Sequence, residues 1–473
     1  MSHLLRSDRA PSPQRLRNRQ HLRDRRKLRL ESLERRAMLA GNIQASVIGS
    51  KLFLTGDNLD NNVAVVSLGA GRYAVAGIGT TVNGGPGVFV TPRPVAHLSA
   101  NLQGGNDGLG LGNSAVALFD LADQLFLDLE DQLGVDAATL QLLIDAATTV
   151  DDFSLSGSLT VVGGAGDDVV AVIGNIGGSV VVSLGTASEM GANAFGMDGQ
   201  SLTGGRGTVG GSLSVVGDGQ ADGVFIANTQ VRGSVSASLG SGRNDFGLTS
   251  SSVAGGLSVV GGANNDFVSL DFSTISGHVG VVLGNGEVNS LTLGSGVTED
   301  ERLRVGSLSM TGGLGNEQFI GAFTAQRSVS IWTGAGRDLV TLAGQVTGPT
   351  MIRGSLSVDT GTGDDVVSMQ ATIGQSMVLT LGQGNDQFEG LMLVVGFNAT
   401  IDAGEGNDEL LIAQSDFGQF LYVFLGAGDD ALQLMESDAR AVYLFGGVGN
   451  DELDVDAETL AAVDFLFRTE FES

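Results

Sequence analysis

The chain has 473 residues, which is long for one ordinary domain unless it is a repeat array. Its hydrophobic content of 42% is ample for a buried core. It has no cysteine, so disulfides and thiolate metal sites are excluded. Residues 1–36 carry 12 basic and 4 acidic residues, whereas the remainder carries 13 basic and 49 acidic ones. Such an acidic body disfavours nucleic acid as a partner and favours divalent cations. No run of 18 apolar residues occurs, so we expect no membrane-spanning helix.

Residues 1–41 form a basic leader without the apolar centre of an ordinary secretory signal, and we expect it to be disordered before processing or binding. A solvated tail with no role and a weak, non-specific nucleic-acid contact are the alternatives. Its last part, "LESLERRAMLAG" (30–41), resembles the LEPR-XLL type motif of exported planctomycete surface proteins, with Met38 in place of the first Leu of the final pair. The resemblance implies an extracellular or cell-surface protein whose partners are surface or matrix components.

Residues 42–112 alternate apolar and polar side chains and predict an N-terminal β module, contiguous with the main body. The stretch resembles N-terminal β modules of the same planctomycete proteins, including its "GDNLDN" turn. Residues 113–152 instead place Leu118, Leu125 and Leu129 on one helical stripe, and Leu140 and Ile144 on a second. This spacing predicts a helical hairpin inserted beside the β body, which serves as a cap or, alternatively, docks a partner.

Residues 153–455 repeat one unit: a short alternating strand, a Gly-x-Gly-(Asp/Asn)-Asp turn and a second alternating strand. The second acidic positions of five successive turns are spaced 21, 22, 22 and 21 residues apart, and they are Asp365, Asp386, Asp408, Asp430 and Asp451. Copies near Asp338 and Glu317 continue the register, and earlier copies such as "GGLSVVGGANNDFVSL" (255–270) are more degenerate.

Strands this short are unstable alone, so each unit must bury its inward side chains against its neighbours. An antiparallel sandwich also gives short strands, but it does not require one period to persist over about 14 copies. We therefore predict an all-β fold, a right-handed parallel β-helix of about 21–22 residues per coil, with equivalent positions stacked about 4.8 Å apart. Residues 456–473 lack the Gly turn and are expected to cap the last edge.

The turns resemble the haemolysin-type (RTX) calcium-binding repeat, which "GGAGDDVVA" (163–171) matches outright and "GGVGNDELD" (446–454) nearly. The spacing departs from that family, because RTX nonapeptides run in tandem and here one turn occurs in each 21 or 22 residues. Stacking of the coils would restore adjacency and place carboxylates and Gly carbonyls around Ca²⁺. The predicted metal ligands are Asp167, Asp168, Asp365, Asp386, Asp408, Asp430 and Asp451. The alternative is turn chemistry alone, since Asn, Asp and Gly favour such bends and exposed acidic tips can be hydrated.

Parallel β-helices also include polysaccharide lyases and hydrolases, which need convergent carboxylates and a basic residue on one flank. Here the arginines are scattered, aromatic residues make up 5% of the chain and the 4 His are far apart in sequence. We therefore expect a non-enzymatic structural or adhesive surface protein, with a carbohydrate-active enzyme as the alternative.

Overall fold

A computed structural model describes residues 41–112, 153–186, 191–199, 206–294, 302–342, 349–463 and 465–469. The chain divides into two compact units, Met1–Leu39 and Ala40–Ser473, and all the described residues lie in the second. The predicted leader and the predicted helical hairpin at 113–152 fall outside the described residues, except for Gly41 of the leader.

The described chain begins with six strands that form a small, mainly antiparallel module. These strands are β1 (Asn42–Ile48), β2 (Lys51–Thr55), β3 (Asn62–Ser67), β4 (Tyr73–Gly77), β5 (Thr81–Val82) and β6 (Phe89–Val90). Strands β2 and β3 each pair in parallel with a strand of the first coil, so this module is continuous with the coils that follow it.

From residue 97 onward the chain winds in coils of three strands, and equivalent strands of successive coils pair in parallel to give three ladders. The first ladder contains the strands that precede the Gly-Asp turn. They are β7 (His97–Gly104), β10 (Leu159–Ala165), β13 (Val180–Thr186), β16 (Leu213–Asp218), β19 (Val235–Gly240), β22 (Leu257–Gly262), β24 (Thr274–Gly284), β26 (Leu303–Thr311), β29 (Val329–Trp332), β32 (Leu356–Asp359), β35 (Met377–Gln383), β38 (Ala399–Glu405), β40 (Asp416–Ala427), β42 (Asp438–Val448) and β44 (Leu466–Thr469).

The second ladder contains the strands that follow the turn. They are β8 (Gly108–Gly112), β11 (Val169–Ile173), β14 (Ala192–Asp198), β17 (Ala221–Ala227), β20 (Asn244–Thr249), β23 (Asp266–Asp271), β25 (Val288–Leu293), β27 (Asn316–Gly321), β30 (Leu339–Leu342), β33 (Val366–Met369), β36 (Gln387–Leu391), β39 (Glu409–Ala413), β41 (Ala431–Met435) and β43 (Glu452–Val455). These 14 strands agree with the predicted number of coils.

The third ladder contains short strands, together with the first residues of β24, β26, β40 and β42. The short strands are β9 (Ser154–Leu155), β12 (Asn175–Ile176), β15 (Gly207–Val209), β18 (Thr229–Val231), β21 (Ser252–Val253), β28 (Phe323–Ala325), β31 (Thr350–Ile352), β34 (Ala371–Ile373) and β37 (Val394–Val395). Each is two or three residues long, so it contributes one or two inward side chains to its coil.

The register confirms a parallel solenoid and excludes the sandwich. Met377, Ala399 and Leu421 are partners in successive coils and lie 22 residues apart, as the repeat predicts. In the described part, strand pairing is parallel throughout the three ladders, and the antiparallel pairs are confined to the opening module. No described helix is long and apolar enough to cross a membrane.

The core runs along the inside of the coils because alternate residues of each strand point inward. In one coil Val161, Val170 and Ile176 come from the three ladders, and all three are fully buried. Beyond the last Gly-Asp turn, helix α1 (Ala457–Ala462) begins after Asp456, whose carboxylate accepts a hydrogen bond from the backbone N–H of Thr459. Strand β44 then pairs with β42 at the end of the first ladder.

The bend between the second and third ladders, here called the insertion corner, takes up the largest differences in coil length. Smaller ones occur in the turn between β13 and β14, which has four extra residues, and between the third and first ladders, where the register shifts by one residue. In regular coils it contains one residue with φ between 47° and 54°, as at Asn228, Met392 and Glu436. The longer chain segments 113–152, 200–205, 295–301 and 343–348 all connect a strand of the second ladder to one of the third. The ladders themselves therefore keep their register through every coil.

Candidate functional site

The acidic position of each turn lies in a single column inside the solenoid, here called the inner column. Its members share one place, at the start of the second ladder, and are 0–2% exposed. They are Asn61, Asp107, Asp168, Asn193, Asp222, Asn244, Asp266, Asn289, Glu317, Asp338, Asp365, Asp386, Asp408, Asp430 and Asp451. The predicted superposition of the turns is therefore confirmed. The second acidic residue of each turn, however, points inward and does not form an exposed tip.

Hydrogen bonds connect the inner column from coil to coil. The backbone N–H of Asp386 donates to Oδ1 of Asp408 at 2.8 Å, and the N–H of Asp408 donates to Oδ1 of Asp430 at 2.8 Å. The same bond runs from Asn61 to Asp107 at 2.7 Å and from Asp430 to Asp451 at 3.1 Å. Each such carboxyl thus satisfies a backbone donor that the tight turn would otherwise leave buried and unpaired.

Asparagine fills some positions of the inner column without interrupting it. Oδ1 of Asn244 accepts from the N–H of Asp222 at 3.0 Å, and its Nδ2 donates to Oδ1 of Asp266 at 2.8 Å. Asn289 likewise donates from Nδ2 to Oε1 of Glu317 at 3.0 Å. A neutral amide is therefore geometrically compatible with the column and lowers its charge.

Burial raises the pKa of several inner-column carboxyls, because the charged form loses its hydration. Desolvation raises the pKa of Asp168 and Asp365 to about 7, although the N–H of the preceding coil, which favours the charged form, opposes the increase. The pKa of Asp408 and Asp430 rises to about 6 for the same reasons. Repulsion between neighbours adds to the increase, as Asp386 does for Asp408. Part of the inner column is therefore protonated near neutral pH.

The second oxygen of the inward carboxyls is the least satisfied group of the site. Oδ2 is buried and has no hydrogen-bond partner among the described residues in Asp168, Asp386, Asp408, Asp430 and Asp451. In the earliest of these turns Oδ2 of Asp168 lies beside Gly163, where a Cβ would collide with that oxygen and with the carbonyl oxygen of Leu184. A proton or a cation on such an oxygen removes the cost of leaving it bare.

The residue before each inner-column position forms a second column of exposed or half-buried side chains, here called the outer column. It includes Asp167, Asp364, Asn385, Asn407, Asp429 and Asn450. The N–H of Asn407 donates to Oδ1 of Asn385 at 2.9 Å, and the N–H of Asp429 donates to Oδ1 of Asn407 at 2.8 Å. These bonds run toward the preceding coil, whereas those of the inner column run toward the following one. Each turn is therefore fastened to both of its neighbours.

Two glycines give the turn its shape. Gly404 and Gly406 have φ of 111° and 133°, a region that disfavours residues with a Cβ. A Cβ on Gly404 would also collide with the carbonyl oxygen of Gly382 in the preceding coil. The Gly-x-Gly pattern is thus required by both the backbone conformation and the close stacking of the coils.

A hydroxyl column at the insertion corner has the same design. Oγ of Ser437 accepts from the N–H of Ser415 at 3.2 Å and donates to the carbonyl oxygen of Met435 at 2.8 Å. Oγ of Ser251 makes equivalent bonds to Thr229 and Thr249. The corner is therefore fastened by neutral groups, and the turn mainly by acidic ones.

The structure places the seven predicted metal ligands in two environments. Asp167 belongs to the outer column, whereas Asp168 and the other five belong to the inner one. The degenerate copies that contain Asp222 and Asp266 were recognised from the sequence without a role for these residues, and the column members at 61, 107, 193, 244 and 289 were missed. The one available signal was the strand spacing of the degenerate copies, because those turns vary in composition.

Calcium takes six to eight oxygen ligands, and the inner column supplies them only in part. An inward carboxyl such as that of Asp408 has one oxygen without a partner among the described residues, and its other oxygen accepts from a backbone N–H. In Asp266 both oxygens are already bonded, to Nδ2 of Asn244 and to the N–H of Gly262. Within the described residues no three His, Cys, Asp or Glu side chains come together as a metal-binding group. Further ligands would have to be backbone carbonyls and water.

No protein-family model, curated protein or solved structure matches this chain.

Proposed function

We propose that this protein is an exported, non-enzymatic structural or adhesive protein of the cell surface. The observation that supports this proposal is the inner column, in which one fastening bond recurs from the opening module to the last turn. A repeat fastened in this way suits a stiff scaffold that presents its outer strand faces to surface or matrix components.

Protease shaving of intact cells, followed by immunoblotting of the full-length chain, tests the location. We expect the protein to disappear from intact cells while a cytosolic marker persists. Recovery of the intact chain with its leader from the cytosol would contradict export. Release of new reducing or unsaturated ends from acidic polysaccharides by the purified protein would contradict the non-enzymatic part.

Calcium bound at the turns is the second part of this proposal. It is supported by the unpartnered Oδ2 atoms of Asp408 and Asp430 and by the stacking of their turns. Calcium binding to ionised carboxylates would neutralise the inner column where protons no longer do so, above the folded-state pKa of about 6 for these two groups.

A calcium titration at pH 8, followed by the melting temperature, tests this second part. We expect the wild type to melt at a higher temperature with Ca²⁺, and the double substitution Asp408→Asn and Asp430→Asn to lose that increase. Asn is suitable because it already occupies the column at Asn244. The matched control is Asp429→Asn on the outer column. An unchanged wild-type melting temperature would contradict calcium binding, and the turn carboxyls would then serve only as hydrogen-bond acceptors for the backbone.

A further inference from the structure

A cluster of arginines interrupts the acidic surface on the third ladder. After residue 36 the chain has 13 basic residues, and four of them, Arg302, Arg304, Arg327 and Arg353, belong to three successive coils around β26, β28 and β31. The exposed members, Arg304 and Arg353, can offer their guanidinium groups to a ligand of opposite charge.

Three of these arginines border a depression of about 200 Å³, here called the arginine groove. Its lining residues are Arg302, Arg304, Thr324, Gln326, Met351 and Arg353. No described acidic residue belongs to this lining. Among the described residues, the groove is therefore lined by basic and neutral side chains only.

Strand register explains the shape of the groove. Thr324 lies between Arg304 and Met351 in adjacent strands of the third ladder. Its short side chain forms the floor, and the longer side chains on either side form the walls. Arg304 and Arg353 are exposed, whereas Arg302 is 7% exposed and donates from Nη1 to the carbonyl oxygen of Pro349 at 3.0 Å.

We propose that the arginine groove binds the carboxylate of an acidic sugar unit in an extracellular polysaccharide. Guanidinium groups recognise carboxylates through paired, charge-assisted hydrogen bonds. The hydroxyl of Thr324 and the amide of Gln326 are suited to the ring hydroxyls beside the carboxylate. Met351, which is 40% exposed, provides an apolar contact for the sugar ring.

The size and charge of the groove favour a sugar unit over larger anions. Its volume of about 200 Å³ is below that of common drug-sized pockets and suits one ring with its carboxylate. The net charge of −28 opposes any polyanion, and it opposes most strongly one with closely spaced charges such as nucleic acid. The inference rests on the proposed surface location, because that is where the chain would meet such a polysaccharide.

Calorimetric titration of the full-length chain with a trimer of galacturonic acid, at low salt, tests the proposal. We expect saturable binding that weakens as salt is added, and no binding of the neutral galactose trimer. The double substitution Arg304→Gln and Arg353→Gln should weaken binding by about tenfold or more, because both exposed guanidinium groups are lost. Arg304→Lys should retain only part of the affinity, since an ammonium group lacks the paired donors.

The matched control is Arg232→Gln with Arg440→Gln, which removes the same charge from exposed arginines on other coils. This pair should bind the trimer as the wild type does, and both double variants should keep the wild-type melting temperature. Equal loss of affinity in the two double variants would show that binding depends only on the net charge of the chain, and it would overturn the proposal. Failure of the wild type to bind the trimer, or equally good competition by inorganic phosphate or triglutamate, would also overturn it.

The outcome is separable from that of the protease-shaving experiment. A surface-located chain that does not bind the trimer refutes the groove alone. A cytosolic chain that binds it refutes the proposed location and leaves the groove in place.

Discussion

The inner column predicts that the protein loses stability as pH rises from about 5 to 8 in the absence of calcium. Several of its carboxyls, among them Asp365 and Asp408, have a folded-state pKa above the ordinary value, so the folded protein holds protons that the unfolded chain releases. The stabilisation is fully present below the unfolded value near 3.8 and is lost as pH rises through about 6 for Asp408 and about 7 for Asp365. This slope is opposite to that of a protein held by salt-bridged carboxylates.

The magnitude follows from linkage. Raising the pKa of one carboxyl from 3.8 to about 7, as for Asp365, means that the free energy of unfolding falls by about 4 kcal/mol as pH rises from below the first value to above the second. For Asp408, at about 6, the corresponding value is about 3 kcal/mol. Successive ionisations are coupled, because each charged coil raises the pKa of the next. A decrease of several kcal/mol across the column is therefore expected.

Urea unfolding midpoints measured at intervals between pH 5 and 8 with a chelator present will show the effect. The variant Asp408→Asn should be close to the wild type at pH 5 and more stable than it at pH 8, because its amide cannot ionise. Asp429→Asn, at an exposed position of the outer column, should follow the wild-type profile. A wild-type midpoint that is constant or rises over this range would refute the buried, protonated column.

Three further substitutions test the fastening of the coils. Gly404→Ala should lower the free energy of unfolding by about 1–3 kcal/mol through its strained φ, whereas Gly219→Ala, which has open space around it, should have little effect; urea unfolding compares the two. Ser437→Ala removes the acceptor for the N–H of Ser415 and should cost about 1–3 kcal/mol, as measured by the shift in the urea midpoint. Phe445→Ala removes a ring stacked 4.7 Å from that of the preceding coil and should cost about 0.5–1.5 kcal/mol beyond the lost burial, with hydrogen exchange near β42 as the readout.

Much of the architecture could be predicted from sequence, because a period of 21 or 22 residues repeats the same strand and turn chemistry. The constant spacing of Asp386, Asp408 and Asp430 is enough to superpose their turns. The inward orientation of these residues was not predicted, since Asp is seldom buried. The strand alternation contained the signal, because Asp408 is in phase with the buried Leu410, whereas Asn407 is not.

Other parts of the site were hidden by variation in composition. Asn244 and Asn289 fill the same position as Asp408, but neither keeps the Gly-x-Gly-Asn-Asp sequence. The insertion corner was equally hard to recognise, because its positive φ occurs at Met392 and Glu436, which are not typical of that conformation. The conformation at the insertion corner is selected by stacking on the neighbouring coils. A single sequence does not show this interaction between coils.

The insertion corner also has a consequence for how such a chain can change. Before helix α1, the four longest segments between strands join the second ladder to the third, so most added residues lie at one edge of the coils and the ladders keep their pairing. The turn between β13 and β14, with four extra residues, is an exception. A foreign loop or a small domain grafted at Gln414 should therefore be accommodated far better than one placed in a Gly-Asp turn. New recognition elements can accumulate along one border of the molecule while the rest of each coil stays the same.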